Sequence, residues 1–414
     1  MTTGAGRRTR RGYFILLLTA TLACIANALE QPAFAGDILL NSDLETSPMV
    51  AGWKLEAVGD GGFEGAWEKS EQGAANHYLL IRRGYWQSPP VAVQALRYSR
   101  VRFTKKGDGG NYWSVHFFDS EGEPLVADNY DTVYKAADWT IQDGCLRAPA
   151  DSATMVVRFH GQPSPLAIDD LEIRRIGWRE AAAWCDRVAA TAPVARFQPP
   201  ERRSERLPNT MATLRRGGKL RIVMLGDSIC NDTSNSLYET LIRRHYPQAK
   251  ARVITSVRGG TGCQYYQDEN RVEDYVLRYR PDLLIIAGIS HGYDVEAVRR
   301  VIRQVKARSD CEILVLTGAI TPRQLPEQGH LHGSARKSLG EKLDDVARFA
   351  HRIGRMANEE KVDFFDIRAA WDRYMVHSCQ THEWFLRDPI HANSRGKQVV
   401  GRLLAEYFMP EEGP

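Results

Sequence analysis

From Leu220 onward, short apolar runs alternate with stretches of helical spacing, and few folds accept that rhythm. A strand that is apolar on both faces must be covered on both, so β and α segments in alternation specify a parallel sheet between two layers of helices. The runs Leu220–Leu225, Ala251–Val257, Asp282–Gly288, Glu312–Gly318 and Val362–Asp366 supply five such strands. Between them Val295, Val298, Val301, Ile302 and Val305 recur at helical spacing, as do Leu339, Leu343, Val346, Ala350 and Ile353. A last helix from about Ser394 turns Val399, Val400, Leu403, Leu404 and Tyr407 to one side. Ligands of such sheets sit beyond the carboxyl ends of the strands, so the chemistry is sought directly after each run.

A chain of 414 residues is longer than this one unit needs. Residues 36–177 consist of short segments rich in β-branched and aromatic side chains, such as Arg100–Thr104 and Tyr112–Phe118, parted by Gly, Asp and Pro. That pattern predicts an all-β sandwich whose first and last strands fall at Ile38–Leu40 and Leu166–Ile173. Residues 178–216, alanine-rich and then basic around Gln198-Pro199-Pro200, read as a linker, and the α/β unit occupies 217–410. Residues 1–35 have the form of a signal peptide, with a basic start at Arg7-Arg8-Thr9-Arg10-Arg11, an apolar run and Ala33-Phe34-Ala35 as the cleavage site. The run is shorter than the about twenty residues needed to cross a bilayer, so the expectation is a secreted or periplasmic protein without stable membrane insertion after cleavage. The leader holds four arginines and one glutamate, which reduces the formal charge from +4 to about +1 once it is removed. A nearly neutral remainder gives no electrostatic reason to expect nucleic acid or an anionic membrane as partner.

The first apolar run ends in Leu225-Gly226-Asp227-Ser228-Ile229, which puts a serine at a strand-to-helix turn. Free backbone N–H groups at such a turn favour developing negative charge. A serine needs a base to become a nucleophile, and the base needs a third group to orient it. Asp388-Pro389-Ile390-His391 supplies both, because a spacing of three brings the carboxylate and the imidazole to one turn. No glycine stands two residues after Ser228, so the nucleophile elbow of the α/β-hydrolases is absent. No P-loop ending follows Arg258-Gly259-Gly260-Thr261-Gly262, which excludes that class of phosphate cradle.

Together these segments resemble the SGNH, or GDSL-type, hydrolase superfamily over about 190 residues. The resemblance implies a three-layer, flavodoxin-like α/β domain in which Ser228 is the nucleophile, His391 the base and Asp388 its orienting acid. It implies an oxyanion hole made by the amides of Ser228 and Gly259 and a third donor after the third strand. That third position is usually an asparagine, but here Gly288-Ile289-Ser290-His291 places Ser290 there, with His291 beside it as an alternative donor in contact with substrate. Catalysis of this kind needs no cofactor. Cys230 and Cys263 each closely follow one of these blocks, and a disulfide between them that braces the site is one expectation, buried free thiols the other.

The opening Leu40-Asn41-Ser42-Asp43-Leu44-Glu45 and the closing Ala167-Ile168-Asp169-Asp170-Leu171-Glu172 resemble the ends of jelly-roll carbohydrate-binding modules. In those modules the first and last strands meet at a structural calcium, for which Asp43, Glu45, Asp169 and Asp170 would be the ligands. Trp53, Trp67, Trp86, Trp113 and Trp139 lie in this half and are candidates for stacking on sugar. The resulting expectation is a secreted carbohydrate esterase that removes O-acetyl or other small acyl groups from a polysaccharide or oligosaccharide. The alternatives are a glycan-binding protein with a degenerate hydrolase domain, and an O-acetyltransferase.

Overall fold

The computed structural model describes residues 37–414, apart from 71–75, 162–163, 196–202, 291–293, 319–346 and 411–414. Residues 1–36, which include the expected leader, lie outside the described residues, as do His291, Leu339, Leu343 and Val346. Residues Asp37–Pro414 form a single compact unit.

The front half is a sandwich of two six-stranded antiparallel sheets. One runs in the order Ala136–Arg147, Tyr98–Gly107, Leu166–Ile176, His77–Arg83 and Glu64–Lys69, with Ile38–Ser42 paired to Leu166–Ile176. The other runs Lys54–Glu56, Tyr85–Gln87, Thr154–His160, Tyr112–Phe118 and Asn129–Thr132, with Val91–Ala92 on Thr154–His160. Alternate side chains from both fill the space between, among them Val101, Phe103, Val115, Phe117, Val157, Phe159, Ile168 and Ile173. Ile38–Ser42 pairs antiparallel with the last strand, Ser42 opposite Leu171. Trp53, Trp86 and Trp113 are core residues, Trp67 stacks on His77 and Trp139 packs edge-on against Tyr78.

The second half carries the parallel sheet. Its strands are β1 (Lys219–Gly226), β2 (Lys250–Val257), β3 (Leu283–Ala287), β4 (Glu312–Leu316) and β5 (Asp363–Phe365), in the order β2-β1-β3-β4-β5. All neighbouring pairs are parallel. Successive residues of β1 serve opposite faces: Leu220, Ile222 and Met224 join one helical layer, Val223 and Leu225 the other. This period of two between two apolar layers is what the continuous hydrophobic run encodes. The stretch read as a linker is built into the fold. Helix α1 (Trp178–Ala189) buries Ala181, Ala182, Trp184 and Cys185, and α2 (Pro208–Arg216) buries Met211 and Leu214. The alanine-rich piece around Arg179 to Ala190 reads as helical in the sequence and is helical in the structure, with its small side chains Ala181 and Ala182 buried. The strand order reverses at β1 and β3, so a crevice opens beyond their carboxyl ends.

Candidate active site

β1 ends at Gly226, where an added Cβ would lie 1.9 Å from the Ala287 carbonyl oxygen, so β1 and β3 approach closely at the reversal. Helix α3 (Ser228–Ser234) follows at once. Its N-cap is Asp227, 1% exposed, whose Oδ1 accepts the N–H groups of Ile229 at 2.9 Å and Cys230 at 3.2 Å. Oδ2 accepts those of Ile289 and Ser290, each at 2.7 Å, and so ties the loop after β3 to the helix. Gly288 makes room for the carboxylate: φ is +118° and an added Cβ would lie 2.4 Å from Asp227 Oδ1. Gly288→Ala is therefore expected to displace the carboxylate and to cost about 1–3 kcal/mol in backbone strain alone. Thermal unfolding reads this directly, and an unchanged melting temperature would refute the placement.

Ser228 Oγ lies 2.8 Å from His391 Nε2, and His391 Nδ1 lies 2.7 Å from Asp388 Oδ2. Asp388 Oδ1 also accepts the backbone N–H groups of Ile390 and His391, at 3.0 and 2.9 Å. Burial opposes ionisation of Asp388, but the His391 ring and these amides outweigh it and bring its carboxyl down to about 2. The acid is thus charged across the physiological range and accepts from Nδ1, which frees Nε2 toward the serine.

The turn holding Asp388 and His391 is closed by a bridge between Leu386 and Ala392 and by the Arg387 N–H on the His391 carbonyl at 2.9 Å. Asp232, one turn after Ser228 on α3, holds that turn in place. It accepts the Ala392 N–H and both contacts from Arg387, all at 3.0 Å, while 3% exposed at its side chain. Neither Asp232 nor Arg387 stood out in the sequence. The one available signal was the spacing of four that puts Ser228 and Asp232 on the same face of a helix.

Ser228, Asn231, Val257, Gly259, Arg387, Asp388 and His391 line one cleft of about 950 Å³. Its other wall comes from the sandwich, through Arg82, Arg83, Gly110, Tyr112, Val126, Asp128 and Tyr130. No motif in the sequence marks this wall, and none of the five tryptophans is in it. Ser290 follows β3 beside Asp227 with its amide committed to that carboxylate, so only its hydroxyl remains as a donor; it is not among the cleft-lining residues. Residues 128–131 of the sandwich are joined to the elements around Ser228 and His391 by several buried or half-buried bonds. Asn231 Nδ2 donates to the Asp128 carbonyl at 2.6 Å, and Asp131 accepts the Ser394 N–H at 2.8 Å. Lys397 Nζ donates to Asn129 Oδ1 at 2.7 Å and the Tyr130 carbonyl at 2.6 Å.

A second serine, histidine and aspartate stand in the same hydrogen-bond order inside the sandwich. Asp128 Oδ2 is 2.9 Å from His116 Nδ1, and His116 Nε2 is 2.9 Å from Ser114 Oγ. Ser114 is fully buried and also bonds His160, so no carbonyl can reach it. Accessibility, more than triad geometry, separates the two sets.

The four acids assigned to calcium do not assemble a metal site. Among the described residues no group of three or more His, Cys, Asp or Glu is placed to hold an ion. Asp43 accepts the Glu45 N–H, Glu45 turns to His77, and Asp170 takes the Thr104 hydroxyl. Asp169, buried in the bulge of the last strand, bonds Asn76 and the Asp170 N–H, and burial with Asp170 and Glu45 nearby pushes it up to about 6. Acidic residues at strand ends served as turn formers here. The disulfide expectation also fails, since Cys230 and Cys263 are buried free thiols, with burial raising both.

No family model matches the sequence, and no curated protein matches it. Solved structures of low similarity do. A two-domain esterase active on acetylated mannans is 17% identical with a TM-score of 0.38, over 50% of this chain and 52% of that one. An acetylxylan esterase from Geobacillus stearothermophilus is 17% identical with a TM-score of 0.36, over 46% of this chain and 95% of its own. A xylan-binding domain from Paenibacillus barcinonensis Xyn10C is 18% identical with a TM-score of 0.26, over 35% and 97%. The match to the two-domain esterase spans about half the length of that protein. At these scores the function rests on the geometry of the site.

Proposed function

We propose that the protein is an exported carbohydrate esterase of the SGNH type, which removes acetyl or other small acyl groups from a glycan through an acyl-enzyme. The observation that carries this reading is the hydrogen-bonded line from Asp388 through His391 to Ser228, set at the carboxyl end of β1 in an open cleft. His391 Nε2 takes the Ser228 proton as Oγ attacks the ester carbonyl. The amides of Ser228 and Gly259 receive the oxyanion, and His391 returns the proton to the departing sugar oxygen. Water then repeats the cycle on the acyl-serine. Asp388 stabilises the imidazolium and is not itself protonated. The glycan and the preference for acetyl follow from the resemblance of the motifs, and the export from the leader at residues 1–35.

The test is release of acetate from acetylated xylan and acetylated mannan, alongside hydrolysis of p-nitrophenyl acetate. Turnover of the small ester together with at least one polysaccharide is the expected result. Absence of hydrolysis on all three by a folded protein would refute it.

A further inference from the structure

The sandwich wall of the cleft is cationic. Arg82 and Arg83 close the strand His77–Arg83 and line the same cleft as Ser228 and His391. The corner that presents them is rigid: Gly84 has φ +78°, an added Cβ there would lie 2.2 Å from the Glu56 carbonyl oxygen, and its own carbonyl accepts the Gly161 N–H at 3.0 Å. Arg83 forms no ion pair among the described residues. Arg82 makes two long, solvent-exposed ion pairs, with Glu64 at 3.6 Å and Glu68 at 3.9 Å, its side chain 47% exposed.

Each of the two acids of the cleft turns its carboxylate to a histidine ring. Asp128 faces His116 at 2.9 Å and Asp388 faces His391 at 2.7 Å. Arg387, also in the lining, is matched by Asp232. The unpaired cation that a ligand meets among the described lining residues is therefore Arg83, with the exposed and loosely paired Arg82 beside it in sequence. Tyr112 and Tyr130 line the same cleft, with ring centroids 6.1 Å apart. Burial first, then Asp128 and Tyr112, push the Tyr130 phenol up to about 12, so it remains a hydrogen-bond donor. Guanidinium groups pair with planar anions through two parallel N–H donors, and aromatic faces accept the apolar faces of sugar rings.

We propose that this wall is a subsite for an anionic sugar, one bearing a carboxylate or a sulfate, gripped by Arg82 and Arg83 with its ring against Tyr112 and Tyr130, so that the natural substrate is an acidic glycan. The proposal depends on the esterase reading only for where the acyl group sits; recognition of the charge stands on the cleft itself.

Calorimetric binding of unacetylated penta-galacturonate, of a sulfated dextran oligomer and of cellopentaose tests it without any turnover. At low salt at least one anionic oligomer is expected to bind about tenfold or more tighter than cellopentaose, and high salt to erode that margin. Which anion prevails separates carboxylate from sulfate. The double variant Arg82→Gln/Arg83→Gln, at two exposed positions whose loss leaves the core intact, should lose about tenfold in affinity for that anion, whereas Arg216→Gln, outside the cleft, should not. Equal affinity for charged and neutral oligomers overturns the proposal, as does a double variant that binds the anion as well as wild type. Hydrolysis of p-nitrophenyl acetate is measured in parallel: charge-dependent binding without hydrolysis would leave the subsite standing and remove the esterase assignment alone.

Discussion

Ser228→Ala is expected to lower kcat for p-nitrophenyl acetate by about 10⁴- to 10⁶-fold, the range seen when a triad nucleophile is removed. The alanine keeps the backbone of α3 and both amides of the oxyanion pair, so the loss measures the hydroxyl alone. A residual rate above water is expected for the same reason. His391→Ala should cost about as much, and the double variant little more, because nucleophile and base act as one unit. Asp388→Asn should fall by about 10⁴-fold, since an amide donates where Nδ1–H needs an acceptor and so favours the wrong tautomer. The three variants are compared by initial rates and by labelling with a fluorophosphonate, which reports whether Ser228 is still activated. If Ser228→Ala kept even a tenth of the activity, the nucleophile would lie elsewhere.

The second large effect concerns stability. Arg147 belongs to the sandwich strand Ala136–Arg147, and its guanidinium meets Glu239 on helix α4 (Tyr238–His245), with side chains only 3% and 1% exposed. Arg147 also donates to Ser234 Oγ at 2.9 Å and Thr255 Oγ1 at 3.3 Å, while Tyr98 donates to Glu239 at 2.9 Å. Burial works to lower the Arg147 pKa, yet the Glu239 charge and neighbouring tyrosines raise it, so the cation persists inside the protein. Removing one partner strands the other in a low-dielectric interior. Arg147→Met is therefore expected to lose about 3–5 kcal/mol, a large share of the about 5–15 kcal/mol that a domain has in total. Arg147→Met/Glu239→Leu should recover most of it, because two apolar side chains of similar volume strand nothing. Urea unfolding followed by fluorescence measures both. A single variant within about 0.5 kcal/mol of wild type, the range of ordinary surface changes, would show that the pair is not buried in solution.

The parts of this molecule legible in the sequence are those with a local signature. All five strands of the parallel sheet lie where the apolar runs are, because a strand sealed on both faces has no polar position to interrupt it. The helix over Val295–Arg308 follows from its spacing, and the first and last sandwich strands from their apolar ends. Ser228, His391 and Asp388 could be singled out because each sits beside a turn with recognisable chemistry. What the sequence concealed depends on contacts between distant segments. Asp232 reaches Ala392 across 160 positions and Lys397 reaches Asn129 across 268, and no periodicity marks either partner. The same holds for Arg82, Arg83, Tyr112 and Tyr130, which enter the cleft only because the two halves pack together. Trp53, Trp86 and Trp113 are spent in the sandwich core, the commoner fate of so bulky a side chain, and the acids at the strand ends form turns, which call for the same residue types as a metal site.

His391 lies 163 positions after Ser228, on a turn that α5 (Ser394–Tyr407) and Asp232 together hold in register. During synthesis Ser228, its cap and the entire sandwich wall emerge long before His391. If the proposed triad holds, a nascent or trimmed chain that stops short of residue 391 carries an unactivated serine in a nearly finished cleft.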